Sequence, residues 1–228
     1  MAGGGFLAIW TEIDEDHFAE YRNWLVREHI GQRIFGPGFL GARVHVAVDN
    51  ERTHFILYAT ETLEVLASSF YRDLLNSPTP WTKRMMPRLR NFDRGAGEQL
   101  EKVGDGTGAW LVVSRLEAMP NGSNANCLGL VLSEALQVEG IVTARLFRVD
   151  CELSMIVTAE KTMRSGPEGA FGSLLVLEAT SDEAAARSMV TLQTLIARLF
   201  GSAIKHDVGR YRFIYGLYPF ERATRLTQ

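Results

Sequence analysis

Three of the five histidines of this chain, His29, His45 and His54, fall between residues 29 and 54, each close to a charged or aromatic neighbour. His45 follows Arg43 by two positions, and Tyr58 follows His54 by four. An imidazole, a guanidinium and a phenol brought together can bind a phenolate, enolate or carboxylate. Arg43 would hold negative charge, Tyr58 would donate a hydrogen bond, and His45 would move a proton near neutral pH. His29 sits beside Glu28 and five residues after Trp24, in a stretch patterned as a helix. There Phe18, Leu25 and His29 share one stripe, and Tyr21, Trp24 and Glu28 an adjoining one, so His29 leans toward the buried side. These residues make His45, Arg43, Tyr58 and His29 the candidate catalytic set, with His54, Trp24, Glu28 and Trp81 as candidate substrate contacts. The plainer reading of each is structural: a buried histidine hydrogen-bonded to backbone, and Trp24 and Trp81 as packing.

The elements that must carry them parse as strand, helix, two strands, helix, strand. "FLAIWTEI" (6–13) is rich in strand formers, and Asp14 or Asp16 can cap a helix reaching about Ile30. "GPG" (36–38) stops it, and "FLGARVHVAV" and "THFILYAT" form a hairpin around "DNER" (49–52). A helix over 62–75 ends at "NSPTP", Thr79–Pro80 starts a short one, and "RLRNFDR" is the last strand. With a four-residue turn, Val48 pairs with Thr53, Arg43 with Tyr58, His45 with Ile56 and Ala47 with His54. Arg43, His45, His54 and Tyr58 then share a face, His45 and His54 lying diagonally about 7–8 Å apart. A turn of odd length would break that arrangement.

The second half repeats the order. "AWLVVSRLEA" (109–118) matches the first strand and "NANCLGLVLSEALQ" (124–137) the first helix, while "GIVTARLFRVD" echoes "GFLGARVHVAVD". The segment around "ELSMIVTAE" (152–160) is surplus and reads as an added strand or hairpin. Arg145 matches Arg43, but Phe147 stands where His45 does, and the first helix has neither histidine nor tryptophan. A histidine-based site therefore belongs to the first half. The expected organisation is a unit over 1–102, a Gly-rich linker over 103–108 and a second unit over 109–228. The fold class is α+β: two β-α-β-β-α-β units, antiparallel sheets facing one another inside and helices outside.

That element order resembles the dimeric α+β barrel superfamily, whose two ferredoxin-like units here occupy one chain. Residues 6–94 further resemble an EthD-like group, through Trp24, Glu28 and His29 (W-x3-EH), "PGFLGAR" (37–43) and "NSPTPWTKRMMP" (76–87). Such relatives often carry proline shortly after the helix histidine, where this chain has Gly31. The resemblance implies cofactor-independent monooxygenases, lactone isomerases or polyketide cyclases and, in divergent branches, haem enzymes. Fold alone does not select among them.

The totals narrow the field. A formal charge of −3 and a pI near 6.0 offer no general attraction to nucleic acid or anionic lipid. No apolar run is long enough to span a bilayer, and the start lacks the basic residues of a secretory leader. Two cysteines, Cys127 and Cys151, suit a reducing, cytoplasmic setting. His45 and His54 find no third ligand of convincing spacing, so no metal is expected, and no cofactor loop is present. "WTKRMMPRLRNFDR", with Lys83, Arg84, Arg88, Arg90 and Arg94, is either a solvated face or a device that steers an anionic substrate. The expected partner is a small molecule, with the chain a monomer by internal duplication or a homodimer. The leading expectation is a cofactor-free cyclase, isomerase or monooxygenase-like enzyme acting on an apolar carbonyl- or phenol-bearing compound. The alternative is a non-catalytic small-molecule-binding or structural barrel.

Overall fold

The computed structural model describes residues 4–119 and 125–222, with backbone only at 125 and 126. Eight strands close into one barrel: β1 (Gly5–Glu12), β2 (Phe39–Ala47), β3 (Thr53–Thr60), β4 (Arg90–Gly104), β5 (Trp110–Leu116), β6 (Ile141–Val149), β7 (Ser173–Ala179) and β8 (His206–Leu217). Their order around it is β4-β1-β3-β2 and then β8-β5-β7-β6, all antiparallel, so the same four-strand arrangement occurs twice. The α+β class expected from the sequence is the one found.

The two halves are joined by their last strands. The early part of β4 pairs with β1 and its later part, from Gly97, with β6; β8 likewise pairs first with β5 and then with β2. β4 therefore runs through Gly104, well beyond the "RLRNFDR" segment. Closure leaves no sheet edge unpaired, which removes the usual route to edge-to-edge association.

Helices cover the outside. Residues 18–34 form one continuous rod: α1 (Phe18–Trp24), a π-helical turn at Leu25–His29, and α2 (Ile30–Ile34). α3 (Ser69–Asn76) is capped by Ser68, and α4 (Pro80–Met85) by Thr79 with Pro80 in its first turn. In the second half α5 (Ala125–Ser133) and the long α8 (Asp182–Phe200), capped by Ser181, occupy the matching places. No helix is long and apolar enough to cross a membrane among the described residues. Cys127 and Cys151 are exposed free thiols. The first helix of the second half was expected from residue 124, which lies outside the described residues.

Two expectations are corrected. The hairpin pairs Val46 with His54, Val44 with Ile56, His45 with Phe55 and Arg43 with Leu57, one residue away from the expected pairing. The reason is an odd-length loop over 47–53. Asn50 turns it by accepting from the Thr53 and Arg52 amides, and Val48 bonds to β8 instead of closing the hairpin. Such a slip moves one strand's side chains to the other face. Arg43 and His45 thus point into the barrel with Phe55 and Leu57, whereas His54, Ile56 and Tyr58 face the helices with Ala42 and Val44.

The surplus segment of the second half holds no strand. It forms two short helices, α6 (Cys151–Ser154) and α7 (Ala159–Met163), capped by Asp150 and Thr158. Capping side chains at both starts compete successfully with the extended conformation that "MIV" favours. The segment is fastened to β4 of the first half, where Ser154 Oγ accepts from the Ala96 amide and Asp150 N donates to Ala96 O.

Candidate functional site

Two buried polar clusters contain the residues singled out by sequence. The first lies inside the barrel. Arg43 donates from Nη1 to Glu178 Oε2 (2.6 Å) and from Nη2 to Gly108 O (2.6 Å). Glu178 Oε2 also accepts from the Gly108 amide (3.0 Å), and Oε1 lies 3.1 Å from Arg145 Nη2. All three charged side chains are buried. Burial above all pulls the Arg145 pKa down, partly offset by Glu178. This network ties β2 to β6, β7 and the connection between halves, so Arg43 is occupied in holding the barrel together.

His45 is fully buried beside it, its ring stacked on Phe55 (5.7 Å between centroids) and edge-on to Phe213. Burial, and then the Arg43 charge, drives its pKa well below that of an ordinary imidazole. The aromatic filling of Phe6, Trp10, Phe55, Phe147 and Tyr211 makes the interior a packed core. The expected convergence of Arg43, His45 and Tyr58 does not occur, because Tyr58 lies on the opposite face of the sheet.

The second cluster occupies the layer between the first half's sheet and its helices. A pocket there, partly open to solvent, has Ile9 and Ile56 on its sheet side. Tyr21, Trp24 and His29 line it from the helical rod, and Tyr71 and Leu75 from α3. Ile156, Thr158 and Glu160 close it from the surplus segment of the second half.

The π-helical turn shapes the helix side. Widening the backbone by one residue at 25–29 lays the His29 ring against Trp24, centroids 3.9 Å apart. Arg33, one turn on, donates from Nη1 to His29 O (3.0 Å) and lies 3.2 Å from His29 Nδ1. A guanidinium can only donate, so Nδ1 accepts and Nε2 carries the hydrogen. Burial, then Arg33 and Arg164, hold the His29 pKa well below its ordinary value, so the ring is neutral at pH 7. His29 is thereby fixed as a hydrogen-bond donor through Nε2.

Arg33 is buried, and its Nη2 donates to both carboxylate oxygens of Glu160, at 2.9 and 3.2 Å. Glu160 comes from α7 and is itself buried. Tyr21 is almost wholly buried, and its phenol oxygen has no hydrogen-bond partner. Burial pushes the pKa of this phenol up, with Tyr58 adding to the effect. Tyr58 is equally buried and unpartnered at its oxygen; burial raises its pKa against the pull of Arg33.

The remaining candidates have supporting places. Glu28 accepts from Thr79 (2.6 Å) and from Thr82 (3.2 Å), and Thr82 Oγ1 accepts from Trp24 Nε1 (3.1 Å). Glu28 thus anchors the start of α4 and orients Trp24. His54 contacts Arg52 O through Nδ1 (3.2 Å) and packs edge-on against Tyr21 at 4.8 Å. Burial lowers its pKa to about 4. Trp81 packs at the margin of the first core. Of the basic stretch, Arg84 and Arg88 pair with Glu20 and Arg90 with Asp14, while Arg94 reaches the pocket.

Sequence reading missed Arg33 and Glu160. Arg33 lies four residues after His29, a helical spacing that signals contact. Glu160 is 127 residues from its partner and carried no local signal.

No group of three or more metal-ligating side chains occurs among the described residues. A haem of the kind the divergent branches hold would need an imidazole nitrogen free to bind iron. At His29, the one histidine among the described residues that line this pocket, Nε2 ligation would turn an Nδ1 hydrogen against the Arg33 guanidinium, donor against donor, so the pocket does not fit that group.

No family model matches the chain, and no curated protein does. Solved structures do. An anthrone oxidase-like protein superposes with a TM-score of 0.64 at 14% identity, covering 99% of this chain and 98% of its own. A candidate monooxygenase from Fusobacterium nucleatum subsp. nucleatum gives 0.57 at 11% identity, covering 96% of both chains. A mutant chlorite dismutase from Candidatus Nitrospira defluvii gives 0.50 at 9% identity over 94% and 92%. At such identities these matches establish the fold: the chain has the dimeric α+β barrel architecture within a single polypeptide.

Proposed function

We propose that this protein is a monooxygenase-like enzyme that works without a cofactor on an aromatic compound bearing a carbonyl, enol or phenol, held in the helix–sheet pocket of the first half. The observation that carries this reading is the phenol of Tyr21, buried, unpartnered and lining a pocket of mixed apolar and charged side chains that the neutral His29 also lines. A buried hydroxyl without a partner costs on the order of 1–3 kcal/mol, so its retention calls for a ligand that satisfies it. The EthD-like resemblance falls partly on the same place: Trp24, His29 and Met86 line the pocket, and Glu28 stands behind it, holding the Thr82 hydroxyl that accepts from Trp24.

An anthrone illustrates the chemistry, prompted by the anthrone oxidase-like structural match. Loss of a proton from the carbon opposite the carbonyl places negative charge on the carbonyl oxygen. Tyr21 O–H and His29 Nε2–H would donate to that oxygen, with the Arg33 charge behind His29 strengthening the second donor. The resulting carbanion is itself the reductant of dioxygen. Overall, anthrone and O2 give anthraquinone and water: both hydrogens of the reacting carbon leave with one oxygen atom, and the other becomes the new carbonyl. The proton departs through the open side of the pocket, because Glu160 is held by Arg33.

The test is oxygen uptake and quinone absorbance with 1,8-dihydroxyanthrone, comparing the wild-type protein with Tyr21→Phe and His29→Leu. The expected result is saturable turnover, slowed on the order of a hundredfold by loss of a donor. A rate no higher than the buffer reaction, or variants as fast as wild type, would overturn the proposal.

A further inference from the structure

The charges around this pocket do not balance. Five cationic side chains line it, Arg33, Arg72, Arg94, Lys161 and Arg164, against a single carboxylate, Glu160. Glu160 answers Arg33, and Glu168 from behind the wall is shared by Lys161 and Arg164. Arg72 turns Nε and Nη2 onto its own backbone neighbour Ala67 O. Arg94, paired in the sheet with Ile9 of the pocket floor, donates from Nη1 to Leu153 O at 2.6 Å. Among the described residues neither Arg72 nor Arg94 has a carboxylate within ion-pair distance. The protein as a whole is acidic, at −3, so this excess of positive charge is local to the pocket.

We infer that the ligand is an organic anion, an aromatic carboxylate or a compound of similar charge, and that Arg94 is the residue that selects it. The inference rests on the proposed use of this pocket and adds the charge of what enters it. Arg94 is the suited anchor because it rises from the rigid sheet floor and keeps donors beyond the one given to Leu153. Its contact with Leu153 also fixes the side chain against the surplus segment, so the guanidinium is pre-positioned. The aromatic body then lies along the Trp24 and Tyr71 side, within reach of the Tyr21 phenol. Arg72, Lys161 and Arg164, which line the same pocket, add to its positive field, which raises capture rate more than affinity.

The experiment compares anthracene-2-carboxylate with its neutral isostere anthracene-2-carboxamide, following tryptophan fluorescence quenching at low and high salt. The carboxylate should bind at least about tenfold more tightly than the amide, an advantage that shrinks with salt. Arg94→Gln should remove most of that preference while leaving the amide's Kd within about twofold, and Arg94→Lys should restore part of it. Equal affinities for the two probes on the wild-type protein would overturn the anion inference and leave the aromatic pocket standing. A preference that survives in Arg94→Gln would remove Arg94 as its source. Binding of neither probe would remove both the inference and the proposed use of the pocket.

Discussion

The same structural layer occurs twice in this molecule and is filled in opposite ways. In the second half, the space between sheet and helices is closed by Leu132, Leu146, Leu175, Leu177, Leu192 and Leu195, a continuous aliphatic core. In the first half, the corresponding space holds Tyr21, Trp24, His29, Arg33 and Tyr58, and it does not close on itself. It is completed by Ile156, Thr158 and Glu160, borrowed from the other half. One unit thus supplies stability and a covering segment, and the other supplies the pocket. Pseudo-symmetry of backbone does not carry over to symmetry of chemistry.

The largest expected effect attacks the borrowed element. Glu160→Ala leaves the buried Arg33 charge unmatched and should destabilise the protein by about 3–5 kcal/mol in urea unfolding. The double variant Arg33→Met with Glu160→Met should recover most of that loss, since the penalty belongs to the unpaired charge. A full loss in the double variant would mean that the segment is held by something other than this pair. The parallel change in the aliphatic layer, Leu195→Ala, should cost about 2–5 kcal/mol through cavity formation and leave ligand affinity unchanged in the folded protein. If it weakens ligand binding as strongly as a pocket variant does, the division between the two layers fails.

The contrast was partly legible in sequence. Two repeats of the element order gave the fold class, and Phe147 opposite His45, with no aromatic or histidine in the matching helix, pointed to the first half. The error lay in one turn. Counting 49–52 as the loop placed Tyr58 and His54 with Arg43 and His45, because strand faces alternate and loop parity cannot be read from residue types alone. The helix stretch with Trp24 and His29 was read correctly as a buried face. Its π-helical turn was invisible, since that geometry depends on packing and not on propensity. The segment over 152–160 carried strand-forming residues, yet Asp150 and Thr158 capped helices there, and no local pattern could announce that Glu160 meets Arg33.

Acid provides a graded test. His29, His45 and His54 are buried, and burial depresses all three pKa values, His54 to about 4. Above about pH 6.5 these rings are neutral in both folded and unfolded chains and have no effect on pH dependence. Below it the unfolded chain binds protons that the folded one refuses, so stability falls with pH, by about 1.4 kcal/mol per unit for each such histidine. For His54 the loss should level off near pH 4. The second half contributes only the exposed His206, so His29→Leu, His45→Phe and His54→Phe together should flatten urea midpoints between pH 6.5 and 4.5. A slope unchanged in that triple variant would place the acid sensitivity in carboxylates instead.

The smallest change in stability separates structure from function most cleanly. Tyr21→Phe removes a phenol that is buried and has no partner, so it should be neutral or should stabilise the protein by about 1 kcal/mol. The ring stays, and with it the edge-on contact with His54 and the packing on Trp24. If the oxygen serves a ligand, the same variant loses affinity or turnover while its melting temperature holds or rises. A stability loss of more than about 1 kcal/mol would instead mark the hydroxyl as a structural donor. The pocket of the first half would then resemble the aliphatic layer of the second in purpose, despite its different residues.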